Sequence, residues 1–138
     1  MKVLVTGGAG FIGHNVVREL EQQGHQCSIL DSLTGYGIIP EQEIVYLTNH
    51  RLKRVDCEQN IGDIRDPAVN TVFKKFNPDV VIHLASFPRQ KIANQNPVLA
   101  SDVMSSGLMN LLEASKRYTI KNLFIYQAQW SMVTSTMM

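Results

Sequence analysis

Five short apolar runs alternate along the chain with stretches in which apolar residues recur three and four positions apart. Val3-Leu4-Val5 is the first run, with the continuous apolar character of a parallel strand buried on both faces. Thr6 to Gly10 interrupts it. Phe11, Ile12, Val16, Val17 and Leu20 then fall at helical spacing, Gly24 stands where a helix would stop, and Cys27 to Leu30 is a second run ending at Asp31. This predicts a compact βαβ unit. Ser32 to Gly37 reads as a loop and Pro40 to Lys53, which mixes charge with Ile44, Val45, Leu47 and Leu52, as a peripheral helix. Val55 to Ile61 predicts a short third strand. Asp66-Pro67 predicts a helix start, because Asp can cap free amides and Pro loses nothing at the first helical position; the helix then runs from Pro67 to Phe76 and ends at Asn77-Pro78. Asp79 to Ala85 predicts a buried strand, Ser86 to Gln95 a polar loop, and Asn122 to Tyr126 a fifth strand. Between the last two, Val98, Leu99, Val103, Leu108, Leu111 and Leu112 form the stripe of one long amphipathic helix from Pro97 to Tyr118. Strand and helix alternate throughout, which predicts an α/β fold: a parallel sheet with right-handed crossovers and helices on both faces.

At 138 residues the chain is one domain, with no room for a separate substrate lobe. Its 44% apolar and 18% charged residues are those of a folded globular domain. A net charge of +1 supplies no field for phosphate backbones or anionic lipid, so neither nucleic acid nor membrane is expected as a partner. Cys27 and Cys57 form neither a disulfide framework nor a CxxC metal pair, and read as reduced, largely buried thiols. Three apolar residues after Lys2 are too few for a signal-peptide core, and no run approaches a membrane span, so a cytoplasmic protein is expected.

The chemistry concentrates at the first turn. Gly7, Gly10 and Gly13 follow a strand and open a helix: Gly7 permits the tight turn, Gly10 lets backbone approach a pyrophosphate, and Gly13 lets the helix pack on the strand. The helix start adds unpaired N–H groups and about half a positive charge. Asp31, 24 residues after Gly7, stands where an acid meets the adenosine ribose hydroxyls. A carboxylate there would repel a 2′-phosphate by about 4 kcal/mol per charge at ~4 Å, favouring NAD over NADP. An S-adenosylmethionine-dependent methyltransferase fits less well, because Thr6 stands where those enzymes place an acid, and no Gly-Lys-Ser/Thr sequence supports a P-loop. His83, inside an apolar strand, reads as a hydrogen-bonded core histidine; Arg89 and Lys91, in a polar loop, read either as solvated or as partners of a diphosphate.

These residues resemble the extended short-chain dehydrogenase/reductase family, specifically its NAD-dependent sugar-nucleotide epimerases and dehydratases. The resemblance covers most of the chain. Thr6-Gly7-Gly8-Ala9-Gly10-Phe11-Ile12-Gly13 is similar to the family's glycine motif, and Asp31-Ser32-Leu33-Thr34-Gly35 to its ribose-binding loop. Gly62-Asp63-Ile64-Arg65-Asp66 resembles the segment whose Asp and following amide hold adenine. His83-Leu84-Ala85-Ser86 resembles the strand end beneath the cofactor, and Asn110-Leu111-Leu112-Glu113-Ala114 the helix before the fifth strand. The resemblance implies a Rossmann-like, doubly wound, three-layer αβα sheet of about five strands over residues 1–130, with 131–138 as a tail and no C-terminal substrate domain. It implies NAD as cofactor at Gly7, Gly10, Phe11, Ile12, Gly13, Asp31, Ser32, Leu33, Thr34, Asp63, Ile64, Leu84, Ala85 and Ser86, and a nucleotide sugar as substrate of a longer form.

The departures bear on activity. The family's catalytic pair is Tyr-x-x-x-Lys on a helix after the fifth strand, with Lys lowering the Tyr pKa so that the phenolate takes a hydroxyl proton. No Tyr here has Lys four residues on; Tyr118 meets Lys121 one residue too soon. Ser131 falls within a residue of the family's assisting hydroxyl but reads as a surface serine, and Met104 replaces an Asn near the cofactor, implying weaker binding. No catalytic residue and no metal site is therefore expected. Two readings follow: the NAD-binding part of an epimerase or dehydratase, inactive alone, or a natural short nucleotide-binding or partner-binding module that docks on a homologue through its long helix. The open edge beyond the fifth strand predicts homo-oligomers or association with a homologue in either case.

Overall fold

The computed structural model describes residues 1–36, 39–87 and 90–126, with backbone alone at 90–92. Five parallel strands form one sheet: β1 (Lys2–Thr6), β2 (Gln26–Asp31), β3 (Glu58–Ile61), β4 (Val80–His83) and β5 (Asn122–Ile125), in the order β3-β2-β1-β4-β5. Register sets Val5 beside Ile29 on one side and Ile82 on the other. The β1 residues alternate between two cores, as a strand covered on both faces must. Val3 and Val5 join Cys27, Ile29 and Val80 under Val17 of α1 (Phe11–Gln22), whereas Leu4 joins Leu30 and Val81 on the opposite face. That second core is closed by Val69, Phe73 and Phe76 of α3 (Val69–Phe76) and by Leu111 and Ala114 of α6 (Gly107–Arg117). The expected three-layer, Rossmann-like arrangement is thus the observed one.

The elements between strands differ in detail from the sequence pattern. α2 (Glu41–Leu52) lies where a peripheral helix is expected and buries none of its residues. α3 begins at Val69 rather than Pro67, because Asp66 Oδ1 accepts the Ala68 N–H (2.7 Å) and holds residues 66–68 as a turn. The segment expected as a loop from Ser86 to Gln95 contains α4 (Gln90–Gln95). α5 (Pro97–Ser101) and α6 are joined by a π-helical turn, Asp102–Ser106. The face this helical run buries is only part of the expected stripe: Val103 and Leu111 point inward together with Ala100, Gly107 and Ala114, whereas Val98 is 83% exposed and Leu99 and Leu112 also face outward. Small residues let the helix approach closely, and a Cβ on Gly107 would lie 2.5 Å from Ile64 Cδ1. Residues 127–138, including Ser131 and the expected tail, lie outside the described residues, as does Arg89.

Candidate functional site

The strand order turns back between β1 and β4, and in open parallel sheets the loops at such a switch point splay apart to leave a crevice. A cleft of about 240 Å³ opens there, beyond the carboxyl ends of the strands. It is lined by Gly7 and Gly10 from the first turn, Asp31, Ser32, Thr34 and Tyr36 after β2, Gly62, Asp63 and Ile64 after β3, and Leu84, Ala85 and Ser86 after β4. Leu30 and Val103 complete the lining.

Gly7 adopts φ +71°, and a Cβ there would sit 2.6 Å from the Ala85 amide nitrogen. Only glycine therefore allows the β1 and β4 loops to meet. A Cβ on Gly13 would collide with the Gly7 carbonyl oxygen, so its absence seats the first turn of α1 against the loop. The intrahelical ladder starts with His14 N–H to Gly10 O (3.2 Å), and no side chain caps Gly10. The amides of Phe11 and Ile12 precede that first bond, so the helix start can receive an anion. Phe11 and Ile12 point their side chains to solvent, 73% and 51% exposed, so backbone is what they can bring to the cleft.

Asp31 accepts the N–H of Ala9 (3.0 Å) and of Leu33 (2.9 Å), one on each carboxylate oxygen. Burial pushes its pKa above the ordinary value, opposed by those two bonds and by nearby Arg51. Arg51 also reaches the Ala9 carbonyl at 3.4 Å, so α2 is tied to the glycine turn. Leu33 adopts φ +52° and borders a neighbouring depression rather than the cleft. Asp63 is bound through three contacts to Arg65: the backbone N–H (2.9 Å) and Nε (3.0 Å) on Oδ1, and Nη2 (2.7 Å) on Oδ2. Arg65 Nη1 reaches Asp102 on the π-helical turn at 2.7 Å. This guanidinium holds the Asp63 and Asp102 carboxyls below their ordinary values.

Beneath the cleft, His83 is buried, with Nδ1 2.7 Å from Thr6 Oγ1; burial lowers its pKa to about 4. It is the hydrogen-bonded core histidine expected. Cys27 and Cys57 are free thiols away from the cleft, pushed up by burial to about 11 and 12. Among the described residues no cluster of three His, Cys, Asp or Glu could hold a metal ion, and no helix is long and apolar enough to cross a membrane.

Ten of the fourteen residues singled out in the sequence thus line one cleft; Gly13 acts behind it, and Phe11, Ile12 and Leu33 lie beside it. Tyr36, Val103 and Arg51 were not singled out. Tyr36 comes from a polar loop and enters through φ +53°, packing on Phe87 with ring centroids 4.7 Å apart. Val103 sits in what reads as a core stripe.

Comparison with known proteins places this arrangement among relatives. A family model described as GDP-mannose 4,6 dehydratase matches residues 4–133. Human UDP-glucose 4-epimerase is 36% identical over 129 residues, covering 88% of this chain and 36% of its own. The crystal structure of Thermus thermophilus UDP-glucose 4-epimerase in complex with NAD matches with a TM-score of 0.73 at 32% identity, covering 89% of this chain and 36% of that one. UDP-glucose-4-epimerase from Stenotrophomonas maltophila, with bound NAD and formylated UDP-arabinopyranose, matches at 0.73 and 31%, covering 91% and 36%. The chain spans about a third of the length of these proteins.

Proposed function

The chain belongs to the GDP-mannose 4,6 dehydratase family, and from that membership we propose that it is the NAD-binding part of a sugar-nucleotide epimerase or dehydratase, without turnover by itself. The observation that carries this reading is the uncapped start of α1 opening beside the Asp31 carboxylate in one cleft at the switch point of the sheet.

The residues present fit a dinucleotide. Gly7 and Gly10 keep side chains off the path of a pyrophosphate, and the amides of Phe11 and Ile12 bind its oxygens. Gly13 holds those amides in place against the turn. Asp31 accepts from the ribose hydroxyls next to adenine and disfavours a 2′-phosphate; Ser32, Leu33 and Thr34 shape the loop around that ribose. Asp63 and the Ile64 backbone receive the adenine edge. Leu84, Ala85 and Ser86 form the floor on which the remainder of the cofactor rests. NAD supplies hydride acceptance and return at a sugar carbon. The accompanying proton removal belongs to a Tyr-x-x-x-Lys pair, which this sequence does not contain. In a longer form a nucleotide sugar is the substrate. The β5 edge, with Phe124 57% and Ile125 43% exposed, supports association with a second copy or a homologue. Reduced Cys27 and Cys57 are in keeping with a cytoplasmic protein.

Isothermal titration tests the assignment. NAD is expected to bind while S-adenosylmethionine gives no heat; the reverse pattern overturns the reading. Incubation with NAD and a UDP- or TDP-hexose is expected to give neither product nor NADH absorbance, and multiple turnover would contradict the inactive state.

A further inference from the structure

The turn that opens α1 has a weak point that follows from its own sequence. Gly10 has no Cβ, which lets an anion come close, but glycine also takes up positive φ at little cost. The Ala9–Gly10 peptide can therefore flip, which turns its carbonyl oxygen to where its N–H was and sets a repelling dipole in front of an anion. Three contacts oppose this. Gly10, at φ −69°, donates its N–H to Gly7 O at 3.0 Å and so holds one edge of the peptide plane. Arg51 Nη1 of α2 donates to Ala9 O at 3.4 Å and holds the other. Asp31 holds the preceding plane through the Ala9 N–H at 3.0 Å. The next two carbonyls belong to α1 itself. Gly10 O accepts the His14 N–H and, at 2.8 Å, His14 Nδ1, and Phe11 O accepts Asn15 Nδ2 at 2.9 Å. Ala9 precedes that ladder, so its carbonyl depends on a donor from outside the helix. At 1% exposure Ala9 offers water little access in exchange.

We propose that Arg51 is a positioning residue that pins the Ala9 carbonyl away from the cleft, so that the glycine turn presents N–H and not C=O to a pyrophosphate. The guanidinium also polarises the peptide it holds, which strengthens the bond from Gly10 N–H to Gly7 O. α2, which buries none of its residues, thereby acts on the cleft through one side chain that does not line it. This inference rests on the dinucleotide reading and adds to it the residue that keeps the phosphate-receiving turn in its receiving form.

Amide exchange followed by NMR tests the anchoring without any ligand, and calorimetry with NAD tests its consequence. Both compare the full chain with Arg51→Met, which keeps the aliphatic stem, and with Arg51→Lys, which keeps the charge without the fork. In Arg51→Met the Gly10 N–H is expected to exchange about tenfold faster, the size of one charge-assisted hydrogen bond, while the amides of Val5 and Ile82 keep their protection. NAD is expected to bind that variant about tenfold more weakly, with Arg51→Lys intermediate in both readouts. The same factor is expected when Arg51→Met is added to Asp31→Asn; a cost that vanishes there means that Arg51 acts through the charge of Asp31, and overturns the inference. Unchanged Gly10 exchange in both variants overturns it as well, as does unchanged NAD affinity in a variant whose Gly10 exchange has risen. Should Arg51→Met lose protection across the whole sheet, Arg51→Lys carries both comparisons. If the unaltered chain does not bind NAD, the dinucleotide reading falls and the pyrophosphate half of this inference falls with it, whereas the exchange result still decides the anchoring.

Discussion

On the β2 side of the cleft a carboxylate is held by main-chain amides, whereas on the β3 side one is held by a guanidinium. Asp31 is the more deeply buried, and burial outweighs its two amide bonds and the charge of Arg51, so its pKa moves up. Asp63 is bound chiefly by Arg65 and its pKa moves down. The two acids therefore respond in opposite ways to the same change in pH. As pH falls, Asp31 takes up a proton first and loses acceptor capacity, while Asp63 stays ionised. For stability the signs also oppose. The burial of Asp31 works against the folded state once pH has risen past its unfolded value; the clasp on Asp63 favours the folded state there and is lost as pH falls through its lowered value. One wall is a pH-sensitive contact and the other a fixed one.

The shared floor gives the strongest test of that contrast, because both walls depend on it. Gly7→Ala places a Cβ 2.6 Å from the Ala85 nitrogen at φ +71°, and a loss of about 3 kcal/mol in denaturant unfolding is expected, with both acids losing their distinct titrations. Next in size is the difference between the walls themselves. Asp31→Ala is expected to weaken NAD about 100-fold in calorimetry, since it removes the proposed ribose acceptor and frees two amides, whereas Asp63→Ala removes one proposed acceptor and is expected to cost about tenfold. Equal losses would break the comparison. The smallest effect isolates the scaffold. His83 binds its proton only near pH 4 when folded but at its ordinary 6.5 when unfolded, so stability falls as pH drops between those values. About 1 kcal/mol is expected to disappear from pH 6.5 to 5.5, and His83→Gln should flatten that slope while leaving in place any acid dependence of NAD binding that the proposed Asp31 contact brings.

Much of this cleft could be read in the order of residues because its needs are backbone needs. A turn at positive φ, a close approach to Ala85 and a helix seated on a loop each demand glycine, and glycine at 7, 10 and 13 is visible without coordinates. Asp31 was legible for a related reason: it ends a strand whose partner strand carries the glycine turn. Residues that reach the site through tertiary packing were hidden. Tyr36 enters by a local left-handed backbone in a loop of ordinary polarity, and Arg51 acts from a helix that buries nothing. The inner face of the α5–α6 run is legible at Val103 and Leu111, but the small residues that complete it carry no apolar signal, and contact with Ile64 requires Gly107. α4 had no signal either, since Gln90 to Gln95 shows no apolar period.

The meeting of Gly7 and Ala85 also bears on the speed and economy of ligand capture. Loops already in van der Waals contact have little freedom left to surrender, so an arriving molecule would not have to order them. Association should then run near the rate set by diffusion and orientation, with differences among ligands expressed in how long each one stays.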